Sequence, residues 1–126
     1  RRVWDVRANR VIPWTDSLKS IVPISHSWVA PEDIEYHYTS VNHYLWPVPL
    51  PRGVQVEDIR EELIQHKIWC AWLDVLCIRQ EAWPQLEPAR LQNLEAEMRI
   101  DLPLIGNIYM LSPKVFVYLN GLGRPF

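Results

Sequence analysis

The chain has 126 residues, 48% of them hydrophobic, and a formal net charge of -2 at neutral pH. That is enough apolar material for one domain with a real core. It gives no positive field for sequence-independent nucleic-acid binding, and no apolar run reaches the length of a bilayer, so neither nucleic acid nor membrane is expected as a partner.

The first residue is Arg rather than Met, and no signal-peptide pattern opens the chain, so a single domain cut from a longer protein is expected. Seven Trp in a chain of this length point to several broad, rigid packing contacts. The opening RRVWDVRANRVIPW sets short apolar pieces around an Ala-Asn turn. It predicts a small hairpin within residues 1–20, at an edge of the domain, where Pro13 is tolerated. Ile21 to Val29, IVPISHSWV, is the next strand: apolar through Ile24, then alternating Ser25, His26, Ser27 and Trp28 before Pro31 stops it. His26 reads either as a hydrogen-bonded histidine at a strand end or, with Ser25, as the lining of a pocket.

Residues 30–53 read as a long loop, with PVPLP favouring extended geometry. Its aromatic residues Tyr36, Tyr38, Tyr44 and Trp46 either cover an edge of the sheet or form an exposed interface. From Val54 the pattern becomes helical, with Val56, Ile59, Leu63 and, one turn on, Lys67-Ile68 at helical spacing, and Glu57, Asp58, Glu61 and Glu62 early in the segment, where acids suit the helix dipole. This helix is expected to feed straight into the Trp69 strand.

The run from Trp69 to Gln80, WCAWLDVLCIRQ, is apolar but for Asp74 until it reaches Arg79 and Gln80. It predicts a strand buried on both faces. A carboxylate inside such a run is costly unless hydrogen bonds, water or a ligand reach it. Cys70 and Cys77 fall in this strand on opposite faces, too far apart to bridge, and read as buried free thiols of a reducing compartment. The four His show no ligand spacing, so no metal is expected.

After Pro84 and Pro88, Leu91, Leu94, Met98, Leu102, Ile105 and Tyr109 recur at helical spacing, with a kink or restart at Pro103. Lys114 to Leu119, KVFVYL, predicts a third buried strand, followed by the turn Asn120-Gly-Leu-Gly-Arg-Pro. The order βαβαβ over residues 21–123 predicts an α/β three-layer sandwich with a mainly parallel sheet. The carboxyl edge of such a sheet would gather Ser25, His26, Asp74, Arg79, Gln80, Asn120 and Gly121, the candidate ligand-binding residues.

Three blocks of this chain resemble one family. AWLDVLCIRQ is similar to the WIDxLCINQ block of fungal heterokaryon-incompatibility (HET) domains, and ISHSWV resembles their LSYVWG block. EMRIDLPLIGNIYMLSPKVFVYLNGLG resembles the third block, in which MxxIYxxA leads into a strand ending in Leu-Gly. The blocks occur in the family's order and cover roughly Ile21 to Gly123. His26 stands for the usual Tyr, Val29 for the Gly, Arg79 for the Asn and Ser112 for the Ala, which marks a divergent subgroup. The resemblance implies a cytoplasmic module of fungal non-self recognition that triggers growth arrest or programmed cell death. Its implied partners are other copies of itself or other death-signalling domains.

HET domains are considered distant relatives of TIR domains, whose sheet is flavodoxin-like and some of whose members cleave NAD. An alternative implied by the resemblance is therefore an NAD-cleaving hydrolase, with NAD as substrate and no resident cofactor. Asp74 and His26 are then the candidate catalytic residues at the carboxyl edge. The key glutamate of TIR enzymes lies on the helix after a strand comparable to Lys114–Leu119. This chain ends before such a helix, so an incomplete domain, truncated on the carboxyl-terminal side, is expected. Glu95 and Glu97 precede that strand and read as solvated.

Overall fold

The computed structural model describes residues 1–15, 18, 20–80, 108, 109, 112 and 114–125. The start of the chain folds back on itself: β1 (Arg2–Asp5) pairs antiparallel with β2 (Arg10–Pro13). The turn between them is held by side chains. The Ala8 N–H donates to Asp5 Oδ1 at 3.0 Å, and Trp4 Nε1 donates to Asn9 Oδ1 at 3.3 Å. Asn9 takes a left-handed backbone, φ 57°, which Asn tolerates better than most residues. On its other side β1 pairs antiparallel with β6 (Cys70–Trp72), placing Trp4 opposite Ala71. Val3, Trp4 and Val6 are wholly buried, so the hairpin belongs to the core.

The strand β3 (Val22–His26) runs parallel to β6 on one side and to β7 (Phe116–Tyr118) on the other. The five-stranded order is β2-β1-β6-β3-β7. Residues expected to be loop form a second, two-stranded sheet, in which β4 (Ile34–His37) pairs antiparallel with β5 (Val48–Pro51). The expectation of a mainly parallel, flavodoxin- or TIR-like three-layer sandwich is therefore overturned. The protein is a small two-sheet α/β domain whose larger sheet mixes parallel and antiparallel pairs. Hydrophobic pattern marks a strand but not the direction of its neighbour, and the hairpin, with β2 as the edge strand, adds an antiparallel pair to the main sheet.

The first helix, α1 (Val56–Gln65), buries Val56, Ile59 and Leu63. Asp58 Oδ2 accepts the Gln55 N–H at 2.8 Å at its start, satisfying a donor the helix leaves unpaired. At its end the Lys67 N–H donates to the Ile64 carbonyl and the Ile68 N–H to the Leu63 carbonyl, both at 2.9 Å. This is the Schellman pattern, with Lys67 at φ 57° where glycine is the usual residue. Two side chains tie α1 across the sheet. Arg60 Nε donates to the Val6 carbonyl at 2.8 Å, and the Tyr118 hydroxyl donates to Glu62 Oε1 at 3.1 Å.

The strand expected from Trp69 through Ile78 stops at Trp72 and gives way to a short helix, α2 (Asp74–Cys77). Cys77 thus lies in a helix, and both cysteines are free thiols. A fully buried run has no polar face to set its period, so its pattern does not separate strand from helix. Of the helix expected over Leu91 to Tyr109, Ile108 and Tyr109 are helical; the rest, with Glu95 and Glu97, lies outside the described residues. Among the described residues no helix is long and apolar enough to cross a membrane.

Candidate functional site

The site is organised by a change of partner in β3. Val22 and Pro23 register with β6, whereas Ile24, Ser25 and His26 register with β7. Pro23 has no N–H to give to a ladder, and it marks the hand-over. Where the β3–β6 ladder stops, His26 at the end of β3 meets Asp74 at the start of α2. His26 Nε2 lies 2.7 Å from Asp74 Oδ1, with the two side chains 5% and 29% exposed. Asp74 Oδ1 also accepts the Val75 N–H at 2.8 Å. Facing a carboxylate, Nε2 donates its proton to Asp74 Oδ1. The ring of Trp28 packs on His26 with centroids 5.1 Å apart.

Two residues that sequence reasoning did not single out complete this edge. The Tyr109 hydroxyl donates to the Ile24 carbonyl at 3.0 Å, and burial, with the Asp74 charge adding to it, pushes that hydroxyl's pKa up. The Ser27 hydroxyl donates to the Leu119 carbonyl at 2.8 Å and accepts the Gly121 N–H at 2.9 Å, lashing the exit of β3 to the turn after β7. With both roles occupied, Ser27 is a strut and not a nucleophile. The only signal for it was its place in the alternating SHSW segment.

The other expected ligand contacts disperse. Ser25 sits opposite Val117, on the face of β3 away from His26 by strand alternation. Gln80 Nε2 donates to the Ile78 carbonyl at 3.0 Å, and Asn120 Nδ2 to the Pro125 carbonyl at 3.2 Å; both bonds are local. Arg79 is half-buried and has partners of its own. Among the expected interface residues Tyr36, Tyr38 and Tyr44 are exposed. Trp46 is not: it is 1% exposed, its Nε1 donates to the Val75 carbonyl at 3.0 Å, and the Arg2 guanidinium lies 4.8 Å over its ring. Trp46 is a core anchor, and exposed Trp28 joins the surface aromatics in its place.

Space and charge limit the chemistry. Beside His26, a hollow walled by Trp28, Ile34, Pro49, Pro51 and Leu122 encloses about 10 Å³, room for about one water molecule. The second sheet roofs it through Ile34, Pro49 and Pro51. Burial, with Asp5 adding to it, pushes the Cys70 thiol up to about 11. Burial chiefly, with Asp74 adding to it, pushes Cys77 to about 12. Neither is a thiolate nucleophile at neutral pH. Among the described residues no group of His, Cys, Asp and Glu is placed to hold a metal ion. The pair His26–Asp74 is thus equipped to clasp β3 to α2 and to orient one water.

Larger clefts lie at the opposite edge, where the parallel strands begin. One of about 360 Å³ is lined by Ile21, Val22, Trp69, Cys70 and Lys114, among others, and one of about 290 Å³ by Asp5, Arg7 and Trp69. Compared with protein-family models, with curated proteins and with solved structures, the chain finds no match in any of the three.

Proposed function

We propose that this chain is a signalling module of the HET kind, acting in fungal non-self recognition by self-association around the exposed tyrosines of β4 and of the segment that joins it to β5. The observation that carries the reading is the meeting of the three resembling blocks: ISHSWV supplies the end of β3 from Ile24, AWLDVLCIRQ supplies most of β6 and all of α2, and the third block supplies β7. These three strands are neighbours in the order β6-β3-β7, and the first two blocks are joined by the 2.7 Å contact of His26 with Asp74. Tyr36, Tyr38, Tyr44 and Trp28 offer broad, rigid side chains of the sort that dominate contact energy at interfaces. A hollow at the carboxyl edge with room for about one water fits a module that signals by contact.

The experiment expresses the protein in a filamentous fungus and measures its assembly mass by light scattering, wild type beside a Tyr36→Ser, Tyr38→Ser, Tyr44→Ser triple variant. Wild type assembles with rising concentration and arrests growth; the variant stays folded, remains a monomer and is silent. Growth unaffected by wild type would sink the reading. The NAD-cleaving alternative has the His26–Asp74 pair in its favour and the size of the hollow against it. NAD loss that vanishes in a folded Asp74→Asn variant would put that alternative first.

A further inference from the structure

The strands β6, β3 and β7 begin at one edge, where the cleft of about 360 Å³ is lined by Ser20, His66, Lys67, Trp69, Lys114 and the first residues of β3. This is the edge opposite His26 and Asp74. Its volume lies in the range of small-molecule sites. Its lining is one-signed, since Lys67 and Lys114 carry charge and no Asp or Glu is among the lining residues. Among the described residues neither lysine has an ion-pair partner. His66 is a fixed wall: its Nδ1 donates to the Glu62 carbonyl at 2.9 Å and its ring meets Phe116 edge-on at 5.2 Å. Trp69 is 42% exposed; the Arg7 guanidinium lies 4.6 Å over one face of its ring, which leaves the opposite face and the edge of the indole for a ligand.

Of the five described non-glycine residues with left-handed backbones, two lie here, and Asn9, His43 and Tyr44 lie elsewhere. Lys67 and Ser20 both line this cleft and both hold left-handed backbones, φ 57° and φ 59°. Neither is glycine or Asn, the residues that adopt this region at least cost. At Lys67 the Schellman turn is a position where glycine would fit without a Cβ clash. Non-glycine residues held in sparse backbone regions gather at ligand sites, because the side chain is needed where the backbone is not at ease.

We propose that this cleft binds a small phosphorylated molecule carrying a flat ring, the phosphate held by Lys67, Lys114 and the Ser20 hydroxyl and the ring set against Trp69. Lysine ammonium groups and a hydroxyl supply charge-assisted donors to phosphate oxygens, and an indole face accepts any planar ring. The second cleft shares Trp69 but holds Asp5 beside Arg7, and so has no net field for an anion. The proposal stands apart from the HET reading, since it uses none of the residues at the carboxyl edge.

The test titrates adenosine 5′-monophosphate into the protein by calorimetry and by Trp fluorescence, beside adenosine and inorganic phosphate. The nucleotide binds saturably and both halves bind about tenfold more weakly or worse. Lys67→Gly relieves the strained turn, so that variant melts a few degrees higher while binding the nucleotide about tenfold more weakly; Lys114→Ala weakens binding to a like extent. Because Lys67→Gly is expected to be the more stable chain, its loss of binding is not a loss of fold. The proposal is overturned if the nucleotide shows no saturable binding, if adenosine alone binds as well, or if folded Lys67→Gly and Lys114→Ala both bind like wild type.

Discussion

One oxygen of Asp74 accepts from both His26 Nε2 and the Val75 N–H, so its removal leaves two donors without a partner. Asp74→Ala is expected to destabilise the fold by about 2 kcal/mol, the scale of an unsatisfied buried donor at a partly exposed site. In a double-mutant cycle with His26→Ala, read from urea unfolding, the two changes should couple by about 1 kcal/mol or more. Additive effects would show that the 2.7 Å contact holds nothing together. The thiols give a pH dependence of definite sign. Burial raises Cys70 to about 11 and Cys77 to about 12 from an ordinary value of 9.0, so the folded state keeps protons that the unfolded chain loses. Stability from the thiols is whole below about pH 9 and is lost as the pH rises through 11 to 12. Tyr118, raised by burial and by Glu62, acts in the same direction. The urea midpoint should hold steady from neutral pH to about 9 and fall above it, less steeply in Cys77→Ala, as long as that variant keeps the wild-type fold.

At the scale of elements, the packing of α1 on the turn after β7 hinges on a glycine. A Cβ at Gly123 would sit 2.5 Å from Val54 Cγ1 and 3.2 Å from Ile59 Cγ1, and its φ is 75°. Gly123→Ala is expected to cost about 2 kcal/mol or more, because overpacking and a left-handed backbone add. Thermal unfolding measures it, and a melting temperature within a degree of wild type would mean that α1 yields. Much at this scale was legible: the hairpin around Ala8 and Asn9, the stripe of Val56, Ile59 and Leu63, and the strands at Val22 and Phe116 all follow from period and turn chemistry. The run after Trp72 was not, because apolar residues on every side carry no period. Nor was the burial of Trp46, since an aromatic residue in a proline-rich segment has no regular neighbours to show which way it faces.

For the molecule as a whole, the insertion of β1 between β2 and β6 makes the first residues part of the sheet. Arg2 reaches the Cys77 carbonyl at 3.4 Å and covers the Trp46 ring, and Val3, Trp4 and Val6 fill the core. Deleting residues 1–13 is therefore expected to abolish cooperative unfolding, seen as loss of the near-ultraviolet circular dichroism of the buried Trp. A hairpin that merely decorated an edge would leave that signal in place. The candidate site was legible only in part. His26 and Asp74 were named from the sequence and lie in contact, whereas Ser25, Gln80 and Asn120 turn elsewhere, and the space beside His26 is narrowed by a sheet the sequence disguised as loop.

By itself the sequence determined the opening hairpin, the strands at Val22 and Phe116 and the first helix, since those are local matters of spacing, turn residues and side-chain shape. It also singled out the histidine and the acid that needed a partner, because a charge in an apolar run must be compensated somewhere. The direction of pairing, the roof over the carboxyl edge, the burial of Trp46 and the clefts at the amino edge were decided only by tertiary structure. Each of these depends on contacts between residues far apart in the chain, and no local pattern encodes which distant surface a strand will meet.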